Sequence, residues 1–147
     1  MTLYLKPFET TDYNQWLTLW KGYQAFYNVD IKDTISQITY ERLLSPHEPM
    51  HGYFAIWNNQ PVAFVHYIEH RSCWSEGNYC YLQDLFTHPD HRGQGIARQL
   101  INHVYQHAST LGCSRVYWLT QDSNHSAMRL YDQLADKPGI IQYRKQL

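Results

Sequence analysis

At 147 residues, with 44% hydrophobic side chains and a formal net charge of −1, the chain has the length of one domain and can bury a core of its own. A near-neutral balance without a basic run gives a nucleic-acid role no electrostatic footing. The first residues lack the apolar centre of a signal peptide and no apolar run approaches roughly 18 residues, so neither secretion nor a membrane span is expected.

Leu3 and Leu5 alternate with Tyr4 and Lys6, which predicts a short first strand ended by Pro7. Thr10, Thr11 and Asp12 offer N-cap chemistry to a helix with Tyr13, Trp16, Leu17, Trp20 and Tyr23 along one stripe. A second helix is predicted from about Thr34, carrying Ile35, Ile38, Leu43 and Leu44 and stopping before Pro46. Between them, Tyr27 to Ile31 reads as a loop able to lie over a cleft. Tyr53–Trp57 and Val62–Ile68 are apolar runs joined by Asn58, Asn59 and Gln60, the pattern of a β-hairpin. Tyr79–Phe86 is the next strand, and a Pro-containing turn leads from it into Arg92-Gly-Gln-Gly-Ile-Ala97.

A helix starts inside that loop. Ile96, Leu100, Ile101, Val104, Ala108 and Leu111 recur at helical spacing, and Gly112 stands where a C-terminal cap belongs. Val116–Thr120 predicts a fifth strand. Ser123 or Asn124 caps a last helix that runs to about Leu134, with Ala127, Leu130, Tyr131 and Leu134 on its apolar side. Ile140–Tyr143 is expected as a short closing strand. The order β-α-α-β-β-β-α-β-α-β describes an α/β fold: one mixed sheet with helices on both faces.

Gly93 and Gly95 allow successive backbone amides to turn outward at a helix N-terminus, which makes a site for an anion of phosphate type. A P-loop would need GxxxxGK[ST], which is missing. A dinucleotide fingerprint would need Gly or Ala at the sixth position from Gly93, where Arg98 stands, and an acidic residue about 20 positions later. Neither form fits. Arg92-Gly-Gln-Gly-Ile-Ala97, following a strand that ends Leu85-Phe-Thr87, resembles the coenzyme A pyrophosphate loop of the GNAT N-acetyltransferase superfamily, Arg/Gln-x-x-Gly-x-Gly/Ala. The resemblance extends from about Leu3 to Leu134: the element order matches, and Asn124 precedes Tyr131 by the family's seven positions. Within the superfamily the chain is most similar to small amine acetyltransferases of the histone/polyamine and spermidine/spermine type, whose strand Leu-Glu-Asp-Phe-Phe corresponds to Leu82-Gln-Asp-Leu-Phe86. Trp74 matches a Trp ahead of that strand.

The resemblance implies acetyl transfer from acetyl-CoA to an amine. It implies that amides of Arg92, Gly93, Gln94, Gly95, Ile96 and Ala97 hold the pyrophosphate and that the backbone of Leu85, Phe86 and Thr87 pairs with the pantetheine arm. Tyr131 becomes the proton donor to the departing thiolate, although periodicity alone reads it as a core tyrosine. Asn124 is either a cofactor contact or simply an N-cap. Position 83 departs from the family: the Glu is Gln83, which cannot act as a base, so Asp84 is the nearest carboxylate, unless it is a satisfied strand-end residue. Trp74, Glu76, Tyr27 and Tyr79 are candidates to line a pocket for a cation. The expected acceptors are polyamines, diamines or aminoglycosides. A protein lysine and a non-catalytic acyl-CoA-binding module are the alternatives.

The spacing of His103 with His107, His66 with His70 and His47 with His51 echoes metal ligation, but no HExxH or carboxylate-completed set accompanies it. No metal is expected, and His103 and His107 read as solvated positions. Cys73, Cys80 and Cys113, odd in number and widely spaced, read as reduced thiols of a cytoplasmic protein. Relatives follow the last helix with a two-stranded hairpin. Here the lone segment Ile140–Tyr143 is expected to pair with a second subunit, giving a homodimer.

Overall fold

Residues 2–147, the part described by the computed structural model, form β1 (Leu3–Pro7), α1 (Tyr13–Phe26), α2 (Asp33–Leu44), β2 (Met50–Trp57), β3 (Gln60–His70), β4 (Tyr79–Thr87), α3 (Ile96–Thr110), β5 (Arg115–Tyr117) and α4 (His125–Leu134). Sheet order follows chain order. Neighbours run antiparallel through β4, and β5 returns parallel to β4 by way of α3. The β2–β3 turn is tight because Asn58 and Asn59 both take left-handed φ angles, 48° and 64°, which suits the twist of a two-residue hairpin.

Each face of the sheet has its own core. On one, Trp16, Leu19 and Trp20 of α1 and Tyr40 and Leu43 of α2 pack on Phe54, Ile56, Phe64 and Phe86. On the other, Ile96, Leu100, Ile101, Val104 and Ala108 of α3 cover Ala55, Val65, Tyr67, Cys80 and Leu82, with Leu130, Tyr131 and Leu134 of α4 at the margin. Leu100 is fully buried. Leu100→Ala is therefore expected to cost about 2–5 kcal/mol through lost transfer energy and a residual cavity.

Three expectations need correction. In α2 the inward face is Ser36, Tyr40 and Leu43, while Ile35 and Ile38 are exposed. Buried donors decide this: the Trp20 indole N–H donates to Ser36 Oγ at 3.1 Å, and the Tyr40 hydroxyl donates to the Glu9 carbonyl. A serine inward satisfies a polar group that an isoleucine would strand. The fifth strand shrinks to three residues, since β4 offers it a ladder only at Tyr79–Tyr81. Ile140–Tyr143 forms no strand within the chain. Ile140, Ile141 and Tyr143 are left 82%, 74% and 91% exposed. Among the described residues no helix is long and apolar enough to cross a membrane.

Candidate active site

The loop between β4 and α3 is built for an anion by its backbone. Gly93 and Gly95 hold φ at 74° and 80°, conformations that L side chains resist, and a Cβ placed on either would meet nothing within 4 Å. The left-handed geometry turns the amides outward into open space. No amide from Gly93 to Arg98 donates to another backbone carbonyl, and the first helical bond of the loop runs from Gln99 N–H to the Gly95 carbonyl. These unpaired donors coincide with the positive end of the α3 dipole. The Arg92 side chain turns back instead. Its Nε donates to the Thr87 carbonyl at 3.0 Å, and its guanidinium lies over the rings of Phe26 and Phe86 at 5.3 and 5.7 Å. Arg92 thus clamps the loop to α1 and β4.

Beyond Tyr81, β4 loses its partner on the β5 side while keeping β3 on the other. Leu85, Phe86 and Thr87 therefore present a free strand edge that runs toward the loop. Thr87 Oγ1 is buried there without a hydrogen-bond partner. Orphan amides, an open strand edge and an orphan hydroxyl are the donor set that a pyrophosphate with an amide-bearing arm would satisfy.

A β-bulge aims the carboxylate. In register, His66 faces Asp84 and Tyr67 faces Leu82, so Gln83 is the extra residue and points to solvent. The bulge reverses the phase of the strand. Cys80 and Leu82 belong to the α3 core, yet Phe86, also even-numbered, belongs to the α1 core. Asp84 joins Phe86 on the α1 side, buried, with Oδ2 2.9 Å from His66 Nδ1. Its charge reaches Tyr23, Tyr27 and Tyr81. Burial, and then the negative charge of Asp84, push all three phenols above the usual tyrosine range.

Tyr131, on α4, packs edge-on against Trp118 at 5.3 Å. Burial raises its phenol to about 12, with a smaller contribution from Tyr27. Tyr27 lies within electrostatic reach of Asp84 as well as of Tyr131. Asn124 is the residue before α4 but does not cap it with its side chain. Its Nδ2 donates to Thr120 Oγ1 at 3.2 Å.

The remaining candidates disperse. Trp74 and Glu76 are exposed on the β3–β4 connection. Tyr79 stacks under the Arg115 guanidinium at 4.3 Å and beside His70 and Tyr117, at the far end of β4 from Asp84. Of the four expected pocket residues only Tyr27 lies within electrostatic reach of Asp84. Sequence reasoning missed Tyr23, Tyr81, Trp16 and His66. The available signal was His66 itself, an imidazole in the otherwise apolar run Val62–Ile68. His103 and His107 also differ from expectation. They are half-buried against the sheet, with the His103 ring 4.1 Å from Tyr53 and the Tyr67 hydroxyl hydrogen-bonded to His107 Nδ1. Burial holds both imidazoles below the ordinary histidine range. Their partners are tyrosines of β2 and β3, which helical periodicity does not display.

Comparison with known proteins places this geometry. The acetyltransferase (GNAT) family model matches residues 14–135. D-amino-acid N-acetyltransferase HPA3 of Saccharomyces cerevisiae is 32% identical over 143 residues, covering 96% of this chain and 89% of the relative. Thialysine N-epsilon-acetyltransferase of Caenorhabditis elegans is 31% identical over 83 residues, 56% of this chain and 51% of the relative, so the match spans about half of that enzyme. Among solved structures, aminoglycoside N-acetyltransferase AAC(6')-Iy in complex with a CoA-S-monomethyl-acetylneamine bisubstrate analogue aligns at TM-score 0.84, with 18% identity and 100% of both chains covered. That likeness is one of fold.

Proposed function

The chain belongs to the GNAT acetyltransferase family and is an acyltransferase of a family that uses acetyl-CoA, and we propose that residues 1–147 form one catalytic domain that acetylates the primary amine of a small cationic molecule. The observation that carries the proposal is Asp84. A buried carboxylate within electrostatic reach of Tyr23, Tyr27 and Tyr81 suits an alkylammonium, which charge and aromatic faces both attract. When bound, acetyl-CoA supplies the thioester carbonyl that the amine attacks.

The amides from Gly93 to Arg98 would hold its pyrophosphate, and the edge of Leu85, Phe86 and Thr87 its pantetheine arm. An alkylamine is mostly protonated at neutral pH, with a pKa of about 10. Asp84 first draws in the ammonium and then takes its proton, directly or through water. Gln83 has no part in this, since an amide is no base and the bulge turns it outward. Tyr131, whose burial pushes it up to about 12, keeps its hydroxyl proton at neutral pH and holds it for the leaving sulfur.

Polyamines, diamines and aminoglycosides are the acceptors this reading favours. A second reading, amino-acid amines, has its own support in the yeast D-amino-acid enzyme, which aligns with nearly the whole chain. One assay separates them: coenzyme A release measured with spermidine, a diamine, an aminoglycoside, D-amino acids and a lysine peptide. Turnover of the small cations, with at least a hundredfold loss of kcat in Tyr131→Phe, is expected (about 10²–10⁴ for a lost proton donor). Release with amino acids alone moves the reading to the second class. Release with the peptide alone makes the chain a protein lysine acetyltransferase, and acetyl-CoA binding without any turnover refutes catalysis.

The reading extends to assembly and setting. The exposed Ile140, Ile141 and Tyr143 are the surface through which a second copy would pair to form a homodimer. A monomeric mass in light scattering at micromolar concentration refutes it. Three free thiols at Cys73, Cys80 and Cys113 fit a cytoplasmic protein.

A further inference from the structure

His66 is 2% exposed in the middle of β3, among the rings of Phe8, Trp16, Trp20 and Phe64. An imidazole in such surroundings is costly unless both of its nitrogens are paired. Both are. Trp16 Nε1 donates to His66 Nε2 at 2.9 Å, and His66 Nδ1 lies 2.9 Å from Asp84 Oδ2. An indole N–H can only donate, so Nε2 must hold a lone pair. The ring proton then sits on Nδ1, and the contact with Asp84 is a hydrogen bond from a neutral imidazole rather than an ion pair. Trp16 is fully buried, so the indole that fixes the tautomer is itself fixed.

Two devices thus converge on one carboxylate. The bulge at Gln83 swings Asp84 to the α1 face, directly opposite His66 in the β3–β4 register. There the chain Trp16–His66 holds Oδ2, and the Tyr23 phenol also lies within hydrogen-bonding reach of the carboxylate. We infer that His66 is the positioning residue of the reaction, with Trp16 locking its tautomer, so that Asp84 is held in one defined orientation toward the acceptor amine. The inference rests on the reading of Asp84 as the group that takes the amine proton. His66 itself touches no substrate. It acts only through Asp84.

The first test needs no substrate. In nitrogen-resolved NMR of the labelled wild-type protein at pH 7, His66 should show a proton on Nδ1 and a bare Nε2. A proton on Nε2, or on both nitrogens, overturns the inference. The second test is kinetic. His66→Leu, of similar volume without donor or acceptor, should lower kcat about ten- to a hundredfold while calorimetry shows an unchanged acetyl-CoA Kd. His66→Asn, which places an amide N–H near the Nδ1 position, should recover part of the loss. Trp16→Phe, which keeps a ring but frees the tautomer, should lower kcat less than His66→Leu. Adding His66→Leu to Asp84→Asn should cost nothing further, because the residue acts through Asp84 alone. An additive loss, or full kcat in a folded His66→Leu protein, overturns the inference and leaves the proposed function standing. Absence of turnover by the wild type on every amine instead sinks the proposed function, on which this role depends.

Discussion

The phosphate loop and the Asp84 centre are constructed in opposite ways. The loop is one contiguous segment in which, on the proposed reading, the backbone would do the binding, and its side chains need only permit φ angles of 74° and 80° at Gly93 and Gly95. The Asp84 centre takes a helix residue (Trp16), a residue of the neighbouring strand (His66) and a bulge in its own strand, none close in sequence to another except at the bulge. A backbone site tolerates change in most of its side chains and fails at its glycines. A side-chain relay fails at each member. The two regions should therefore respond to substitution in different kinetic constants.

Asp84→Asn is the sharpest break. Asparagine can still accept from His66 Nδ1, so the packing survives, but no carboxylate remains to take a proton. A kcat loss of about 10²–10⁴ is expected with an unchanged acetyl-CoA Kd. Gly95→Val should invert that pattern. A Cβ at Gly95 meets nothing within 4 Å, so the variant folds, yet a β-branched L residue strains a φ of 80° and intrudes where the anion would lie. A left-handed L residue costs about 1–2 kcal/mol, which corresponds to roughly five- to thirtyfold weaker acetyl-CoA binding in calorimetry. If Gly95→Val changed kcat alone, or Asp84→Asn changed Kd alone, the division between the regions would be wrong.

The same contrast explains what could be read from the chain. Arg92 to Ala97 was legible because a glycine pattern between a strand and a helix encodes its conformation locally. Asp84 could be named but not oriented. Strict alternation sends residues 80, 82, 84 and 86 to one face, and only the register across β3 reveals that Gln83 breaks the alternation. Sequence spacing pairs His66 with His70, whereas its true partners are 50 residues upstream and 18 downstream. The inward face of α2 was misjudged for a related reason: Ser36 is wanted inside by Trp20, a demand from another helix. The segment Ile140–Tyr143 has strand-like residues but pairs with no strand of its own chain, and side-chain pattern alone does not decide pairing.

Alkaline stability gives a smaller and more distributed contrast. The loop contributes no buried acid, while the cleft and core contribute several. Burial pushes Tyr131 and Cys80 up to about 12, and Tyr23 and Tyr67 are raised by the same cause. An unfolded cysteine loses its proton near 8.5 and an unfolded tyrosine near 10. Above those values the unfolded chain holds fewer protons than the folded one, so stability falls as pH rises. It should be complete below about pH 8.5 and decline progressively toward pH 12. Urea midpoints measured from pH 8 to 11 should trace that decline. Asp84→Asn should soften it, because the charge that adds to the burial of Tyr23 is gone. A flat profile would mean that these hydroxyls reach solvent.

The acid side should distinguish the regions in the other direction, with the smallest effect. His103 and His107 are held below the ordinary histidine range, first by burial, and for His107 also by His51. Their stabilising contribution is complete above the unfolded value of about 6.5 and is lost as pH falls through the lower folded values. Protonation would place charge against Tyr53 and beside the Tyr67 hydroxyl in the apolar α3 face. Both histidines sit on α3, whose first turn carries the phosphate amides. Acid should therefore loosen the loop by way of its helix, while Asp84 is held from the opposite face of the sheet. Between pH 7 and 5.5 the expected result is a fall in Tm accompanied by weaker acetyl-CoA binding, and His107→Gln should flatten both. A Tm that fell equally in His107→Gln would place the acid-sensitive group elsewhere, and the coupling of the α3 face to the loop would fail with it.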